Sequence, residues 1–432
     1  MRIAIITLQL HTNYGGVLQA YALQKTLEGM GHSVSILQNK EILPKPRGFR
    51  LLRKLVTRPF RKYVLGHKDV DVFRERRINR EFPIVGKEFV RFFNNYLNIR
   101  YISSFKEIRP SDYDAFIVGS DQVWRPKYNP QMMHSFLDFT LSRWRNRYGR
   151  SWTMKDWNVR RIAYAISFGT DEWEFSRRQW AAAEKLITHF DALSTRESGG
   201  AATLAAYFDS YSWIVLDPTM LLTTDDYRRL IGANGKQNDS CNEEGRLPRV
   251  FEYILDRSLE TESTLAKIQK RYGLLTLPEV GEYDSYYDRD EGIVVDVEPY
   301  CSRPVTVNTF LTENPRGKGD ISKRIQPSVE SWLEGIINSD VIITDSFHAC
   351  VFAILFHKRF VVIGNGERGV PRLRWLLKQF LFEERLVSKD CENEEIDNLL
   401  RIRIDWECVD NALSFNKKYS LRFLTRALSI EK

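Results

Sequence analysis

The stretch VIITDSFHACVFAILFHK, residues 341–358, begins as an apolar strand and ends as an apolar helix, and between them it sets Thr344, Asp345, Ser346, Phe347 and His348. A histidine in the first turn of a helix feels the positive end of the helix dipole, which disfavours imidazolium, whereas a bound anion favours it. Such a side chain gains its proton with an anionic substrate and can pass it on. The structural alternative is a histidine that caps the helix and packs in the core; the adjacent Asp and Ser make that less economical. His357, at the other end of the same helix, sits where a cation complements the dipole.

Three further polar clusters fall where apolar runs end. In HTNYGGVLQAY, Gly15 and Gly16 follow Asn13 and open a helix, so backbone N–H groups and the positive helix end can face an anion. No Lys-Ser/Thr pair follows them, which excludes a P-loop, and the competing reading is a tight turn that needs glycine. In VGSDQVWRP, Asp121 can orient or deprotonate a hydroxyl, with Ser120 beside it; equally, either residue can cap the next turn. In LSTRESGG, Arg196 ends a strand with a planar fork suited to carboxylate or phosphate, unless it only pairs with Glu197. Beyond the next strand after His348, GNGERGVPRLRW adds Arg368 and Arg372. Three guanidiniums exceed what a neutral ligand requires and point to a small, multiply charged anion. The Asp-x-Asp of YYDRDEG lies in an expected loop with no clear preceding strand and reads as solvated acid.

The elements that must position these residues follow an α/β rhythm. Short β-branched runs (RIAIITLQL, SVSILQN, AFIVGS, IAYAISFG, ALSTRE, then VFEYILD, LLTLPEV, DVIITDS, RFVVIGN) alternate with helical patterns, as parallel sheets require. Two such wraps meet near Leu216–Thr223, giving domains 1–215 and 216–392, with a helical tail, 393–432, packing across both. The length of 432 residues suits two domains, and 43% apolar with 12% aromatic residues is ordinary for a folded chain. Open α/β sheets bind ligands at the C-terminal ends of their strands, so the cleft between the two domains is where the chemistry belongs.

Charge and cysteine narrow the setting. Residues 42–68 hold nine Lys and Arg with no acidic residue, so the rest of the chain, net charge +8 overall, is close to neutral. Interleaved Leu51, Leu52, Leu55, Val56, Phe60, Val64 and Leu65 can give this segment an apolar face, as in helices on anionic membranes; the alternative is a solvated basic arm. No stacking platform or groove-reading motif accompanies the charge, which argues against nucleic acid. The N-terminus reads as a first strand and not a signal peptide, and no apolar run is long enough to span a membrane. Five scattered cysteines without a C-x-x-C pair fit a reducing, cytoplasmic compartment and no structural zinc.

In this order, NYGGVLQAYALQKTLEGMGH, DAFIVGSDQVW, IAYAISFG, STRES, LDPTMLL and SVESWLEGIINSDVIITDSFHACVFAILFHKRFVVI resemble the polysaccharide pyruvyl transferase family along nearly the whole chain. The resemblance implies two Rossmann-like domains in a glycosyltransferase-B-like arrangement, the N-terminal one on the acceptor side and the C-terminal one on the donor side. It implies phosphoenolpyruvate as co-substrate, no cofactor or metal, and a glycan or polyprenyl-linked oligosaccharide as acceptor. Arg196 looks like the family's donor-binding arginine and His348 like its active-site histidine. Where family members carry Arg-Leu before that histidine, this chain has Ser346 and Phe347, which leaves Arg368 or Arg372 to supply the charge. The expected catalytic pair is His348 and Asp121; Asn13, Gly15, Gly16, Ser120, Arg196, Ser346, Phe347, Arg368 and Arg372 are expected to bind substrate. Competing functions are a nucleotide-sugar glycosyltransferase of the same fold and a non-catalytic acidic-glycan-binding protein. The acceptor reading places the enzyme in the cytoplasm, peripheral at the inner face of the cell membrane, with segment 42–68 as the contact.

Overall fold

A computed structural model describes residues 1–43, 45, 48–66, 72–145, 152–232, 249–255, 273–275, 286–288, 293–295, 325–364, 370–389 and 391–429. Arg368, Cys241, Cys301 and the expected helix 258–273 lie outside this set apart from Gly273. The first sheet has seven strands: β1 (Arg2–Ile6), β2 (Ser33–Asn39), β3 (Ile99–Ile102), β4 (Ala115–Asp121), β7 (Arg160–Ile166), β8 (Ala192–Thr195) and β9 (Trp213–Ile214). Between β4 and β7, the hairpin β5 (Leu141–Arg145) and β6 (Trp152–Asp156) forms a separate antiparallel pair. The second sheet holds five strands, β10 (Arg249–Tyr253), β11 (Gly273–Leu275), β14 (Val341–Thr344), β15 (Arg359–Ile363) and β16 (Leu386–Val387), beside a small hairpin of β12 (Tyr286–Asp288) and β13 (Ile293–Val295).

Every pairing within the two large sheets is parallel. Parallel strands need both faces covered, which is why β4 and β14 are buried at every residue and read as unbroken apolar runs. The first sheet runs β3-β2-β1-β4-β7-β8-β9 and the second β11-β10-β14-β15-β16. Chain order therefore reverses between β1 and β4 in one and between β10 and β14 in the other. Crevices open at such reversals. The segments leaving these four strands carry Asn13–Gly16, Ser120–Asp121, Leu255 and Thr344–His348, so topology alone collects the polar clusters.

The helices are α1 (Tyr14–Gly29), α2 (Phe49–Pro59), α3 (Arg74–Val85), α4 (Lys87–Tyr96), α5 (Met132–Ser135), α6 (Arg177–Ile187), α7 (Ser198–Phe208), α8 (Thr224–Ile231), α9 (Val329–Asn338), α10 (Phe347–Leu355), α11 (Val370–Gln379), α12 (Asn393–Arg401) and α13 (Trp406–Ser429). α1 is buried almost all round, as a helix enclosed on every side must be. Its first residue, Tyr14, crosses to the second unit: the ring stacks on Trp332 of α9 at 5.5 Å and the hydroxyl donates to the Pro327 carbonyl at 2.9 Å. α1 stops where Gly31 takes φ +87, with the Gly31 and His32 N–H groups returning to Glu28 and Leu27 carbonyls.

α13 crosses both units. Phe423 meets Tyr164 and Trp213, and Ser420 Oγ accepts the Leu216 N–H at 2.9 Å. At its other end Trp406 stacks on His357, whose Nε2 lies 2.8 Å from Asp410, so His357 serves a side-chain partner on α13.

Two expectations need correction. The first strand ends at Ile6, and Thr7–Leu10 form a loop. Asp288 closes strand β12, because IVV supplies a β-branched partner for YYD that the surrounding acids obscured; Asp290 lies outside the described residues. Leu424 is fully buried at the seam between α13 and the first sheet. Leu424→Ala should destabilise the protein by about 2–5 kcal/mol, read as a lowered thermal midpoint with retained far-UV dichroism.

Candidate active site

The site is built around Asp217, which follows β9 and opens a short helical turn, Pro218–Met220. Its Oδ1 accepts the Thr219 N–H at 3.0 Å and the Thr219 hydroxyl at 2.7 Å. Its Oδ2 accepts Arg196 Nη1 at 2.8 Å and Ser120 Oγ at 3.1 Å, and faces His348 Nε2 at 3.6 Å. Arg196 comes from the end of β8 and reaches with Nη2 to Asp121 Oδ1 at 3.2 Å. Asp121 also lies 3.5 Å from Arg372 Nη1 of α11. Under both guanidiniums lies the Phe347 ring, 4.0 Å from Arg196 and 5.8 Å from Arg372.

Each side chain is held from behind. Ser346 caps α10 by accepting the Ala349 N–H at 3.5 Å, and its own N–H bonds Thr344 Oγ1 at 3.0 Å. Asp345 accepts the Leu255 N–H at 2.7 Å, tying the β10 and β14 ends together. Ser120 is fixed through its N–H to Gln19 Oε1 of α1 at 3.0 Å, and Gln19 Nε2 reaches Thr7 and the Gly16 carbonyl. Asn13 caps α1 by accepting the Gly16 N–H. Gly15 supplies no turn: it is helical, and a methyl group there would overlap the His348 ring. The imidazole thus sits between the N-termini of α1 and α10.

Burial decides the electrostatics. Burial pushes the Asp121 carboxyl up, but Arg196, His348 and Arg372 outweigh it and leave its pKa lowered. At Asp217 the same contest, against the nearby His348 and Arg196, leaves the pKa far below the usual carboxylate range. Glu197 goes the other way: burial raises it despite Arg196 and the Ser167 hydroxyl, which donates at 2.6 Å. Arg372 is lowered by burial and then by Arg196, with Asp121 opposing, so the two guanidiniums crowd each other. Arg196 Nε and His348 Nε2 are buried just beyond hydrogen-bond distance of the carboxylates they face, Glu197 at 3.7 Å and Asp217 at 3.6 Å.

On the first-sheet side a cavity of about 130 Å³ opens at the ends of β1, β2 and β4. Asp121 and Asn13 line it together with Gln9, His11, Asn39 and Gln131. His11, which burial pushes down to about 4, is neutral at pH 7. Arg196, His348 and Arg372 are not among its lining residues.

Of the residues expected from sequence, Asp121, Arg196, Phe347, His348, Arg372, Ser120 and Gly15 converge, with Asn13, Gly16 and Ser346 as their local caps; Arg368 lies outside the described residues. Ser120 and Asp121 do more than cap a turn, since their side chains face Asp217 and the arginines. Sequence reasoning missed Asp217 and His11 as members; the ion pair it weighed for Arg196 is present, with Glu197 Oε2 3.7 Å from Arg196 Nε. The available signal for Asp217 was the same as for the others, a carboxylate ending an apolar run, in WIVLDP.

Asp121 and Asp217, both lowered, contribute stability that is complete above the unfolded value of about 4 and lost as the pH falls; Glu197, raised, contributes in the opposite sense. Asp217→Asn should therefore lose about 3–5 kcal/mol at pH 7 by leaving Arg196 short of a buried partner. Its thermal midpoint should also fall less steeply than the wild type's below about pH 4.

Residues 13–367 match the sequence profile of the polysaccharide pyruvyl transferase family. No curated protein sequence matches the chain. Solved structures similar to it include a glycotransferase of kitacinnamycin (10% identity, TM-score 0.44, 99% of this chain and 98% of that one) and the glycosyltransferase SnogD from Streptomyces nogalater (10%, 0.43, 99% and 99%). A UDP-GlcNAc 2-epimerase from Neisseria meningitidis bound to UDP-GlcNAc is similar at 9% identity and TM-score 0.45, over 99% of this chain and 100% of that one. The matched range covers most of the chain and contains Arg196, Asp217 and His348, and on that match the chain belongs to the polysaccharide pyruvyl transferase family.

Proposed function

We propose that this protein transfers pyruvate from phosphoenolpyruvate onto two hydroxyls of one sugar, in a surface polysaccharide or its lipid-linked precursor, to form a cyclic ketal. The observation that carries the reading is the buried gathering of two guanidiniums, Arg196 and Arg372, around Asp121 beside His348. A small anion with a carboxylate and a phosphate is the kind of ligand that two planar cations and an imidazole recognise.

His348 is the general acid/base. It protonates the methylene carbon of the donor, leaving an oxocarbenium-like centre at the carbon that bears the phosphate. One acceptor hydroxyl adds to that carbon and releases its proton. Phosphate then departs with the C–O bonding pair, and the second hydroxyl closes the ring as its own proton leaves. The sum is donor plus diol giving ketal plus phosphate, with one hydroxyl proton in the new methyl group and the other on the phosphate or in water. Asp121 orients or deprotonates the acceptor, since it belongs both to the charged cluster and to the cavity. The amides of Gln9, Asn39 and Gln131 in that cavity suit sugar hydroxyls, and the scheme calls on no cofactor.

Calorimetric titration of phosphoenolpyruvate, with UDP as control, tests the donor. Saturable binding is expected for the wild type, weakened about tenfold or more in Arg372→Ala and lost in Arg196→Ala. His348→Ala should still bind while phosphate release falls by about 10²–10⁴-fold. Binding of UDP without phosphoenolpyruvate would replace this reading with nucleotide-sugar glycosyl transfer.

A further inference from the structure

Away from the charged cluster, α2 and the π-helical turn that continues it, Phe60–Val64, form an unusual surface. One side is fastened to the protein. Arg58 bonds the Glu75 carboxylate of α3 at 2.8 and 3.0 Å and Lys54 bonds it at 2.9 Å, with all three side chains mostly buried. Burial raises Glu75, but the hydrogen bonds from Arg58 and Lys54 prevail and hold it at about 2. Two of the nine cations of this segment are therefore structural, a division that sequence could not make.

The other side is bare. Phe49 is 80% exposed, Leu52 62%, Val56 70%, Phe60 51% and Tyr63 75%. Their spacing of three, four, four and three residues is that of a single helical face, opposite Lys54 and Arg58. Exposed Arg53 borders this stripe, and Lys62 lies 5.8 Å from the Tyr63 ring. A contiguous apolar patch of this kind on a soluble surface marks an interaction site. The surrounding charge identifies the partner's sign: with Arg53 and Lys62 beside the stripe and Glu75 already taken up by Lys54 and Arg58, pairing with a second copy would bring two like-charged helices together. An apolar stripe ending in aromatic side chains and flanked by cations is the pattern of a helix lying in the plane of an anionic bilayer surface.

We propose that this outer face of α2 lies on an anionic lipid surface, with Phe49, Leu52, Val56, Phe60 and Tyr63 entering between the headgroups and Arg53 and Lys62 meeting their phosphates. The binding stands on this surface alone; its purpose rests on the pyruvyl-transfer reading. Ile42 and Leu43, which line the cavity beside Asp121, lead within a few residues into α2, and the Leu43 backbone is locked to Asn79 of α3. A sugar carried on a membrane lipid would meet the cavity from the side on which the helix is anchored.

The test is sedimentation of the full chain with vesicles of phosphatidylglycerol and phosphatidylcholine, against vesicles of phosphatidylcholine alone. The protein should sediment with the anionic vesicles only, and less as salt rises. Leu52→Asp/Val56→Asp should lower partitioning by about tenfold or more, and Arg53→Gln/Lys62→Gln by about fivefold per charge. Unchanged thermal midpoints and unchanged phosphoenolpyruvate binding in these variants would show that only the surface was altered. A wild type that stays in the supernatant, or variants that sediment like it, would overturn the proposal. So would sedimentation equilibrium showing a dimer that Leu52→Asp/Val56→Asp converts to monomer, because a second copy would then cover the face. Failure of the wild type to bind phosphoenolpyruvate would count against the donor and leave the vesicle result standing.

Discussion

The arrangement depends on one buried carboxylate. Asp217 gathers the Thr219 backbone and hydroxyl, Ser120 from β4 and Arg196 from β8, and it faces His348 from the second sheet. A charge so enclosed is costly unless every partner is in place, and removing one partner leaves the rest uncompensated. The position is strategic because Asp217 lies where the chain leaves the first sheet and heads for the second. The first sheet and the turn that leaves it deliver Thr219, Ser120 and Arg196; only docking the second unit adds His348.

Docking is in turn a matter of close approach. Tyr14 stacks on Trp332 across the junction, and the next residue, Gly15, lets the His348 ring rest on the first turn of α1. Gly15 in the first turn of α1 and the Asp217 carboxylate thus flank an imidazole that itself stands in the first turn of α10. Its orientation is a product of packing between units, not of either unit alone.

This explains what was legible in the sequence. Parallel strands buried on both faces leave continuous apolar runs, so β1, β2, β4, β7, β14 and β15 could be read directly, and polar residues at their C-terminal ends drew attention by position. Hairpin β5–β6 could not, because its antiparallel pairing sits in charged sequence. Asp217 is a local cap, bonding the Thr219 N–H, and nothing local reveals that its other oxygen meets a serine distant in the chain. Gly15 was read for its backbone when its significance is the volume it leaves free.

The departure at Ser346 and Phe347 also has a physical account. Losing a cation ahead of the histidine removes charge, yet the phenyl ring that stands there lies against both Arg196 and Arg372. An aromatic face attracts guanidinium and screens it from water without neutralising it. Asp121 and Asp217 in turn face the two arginines, and Asp217 also lies 3.6 Å from the imidazole.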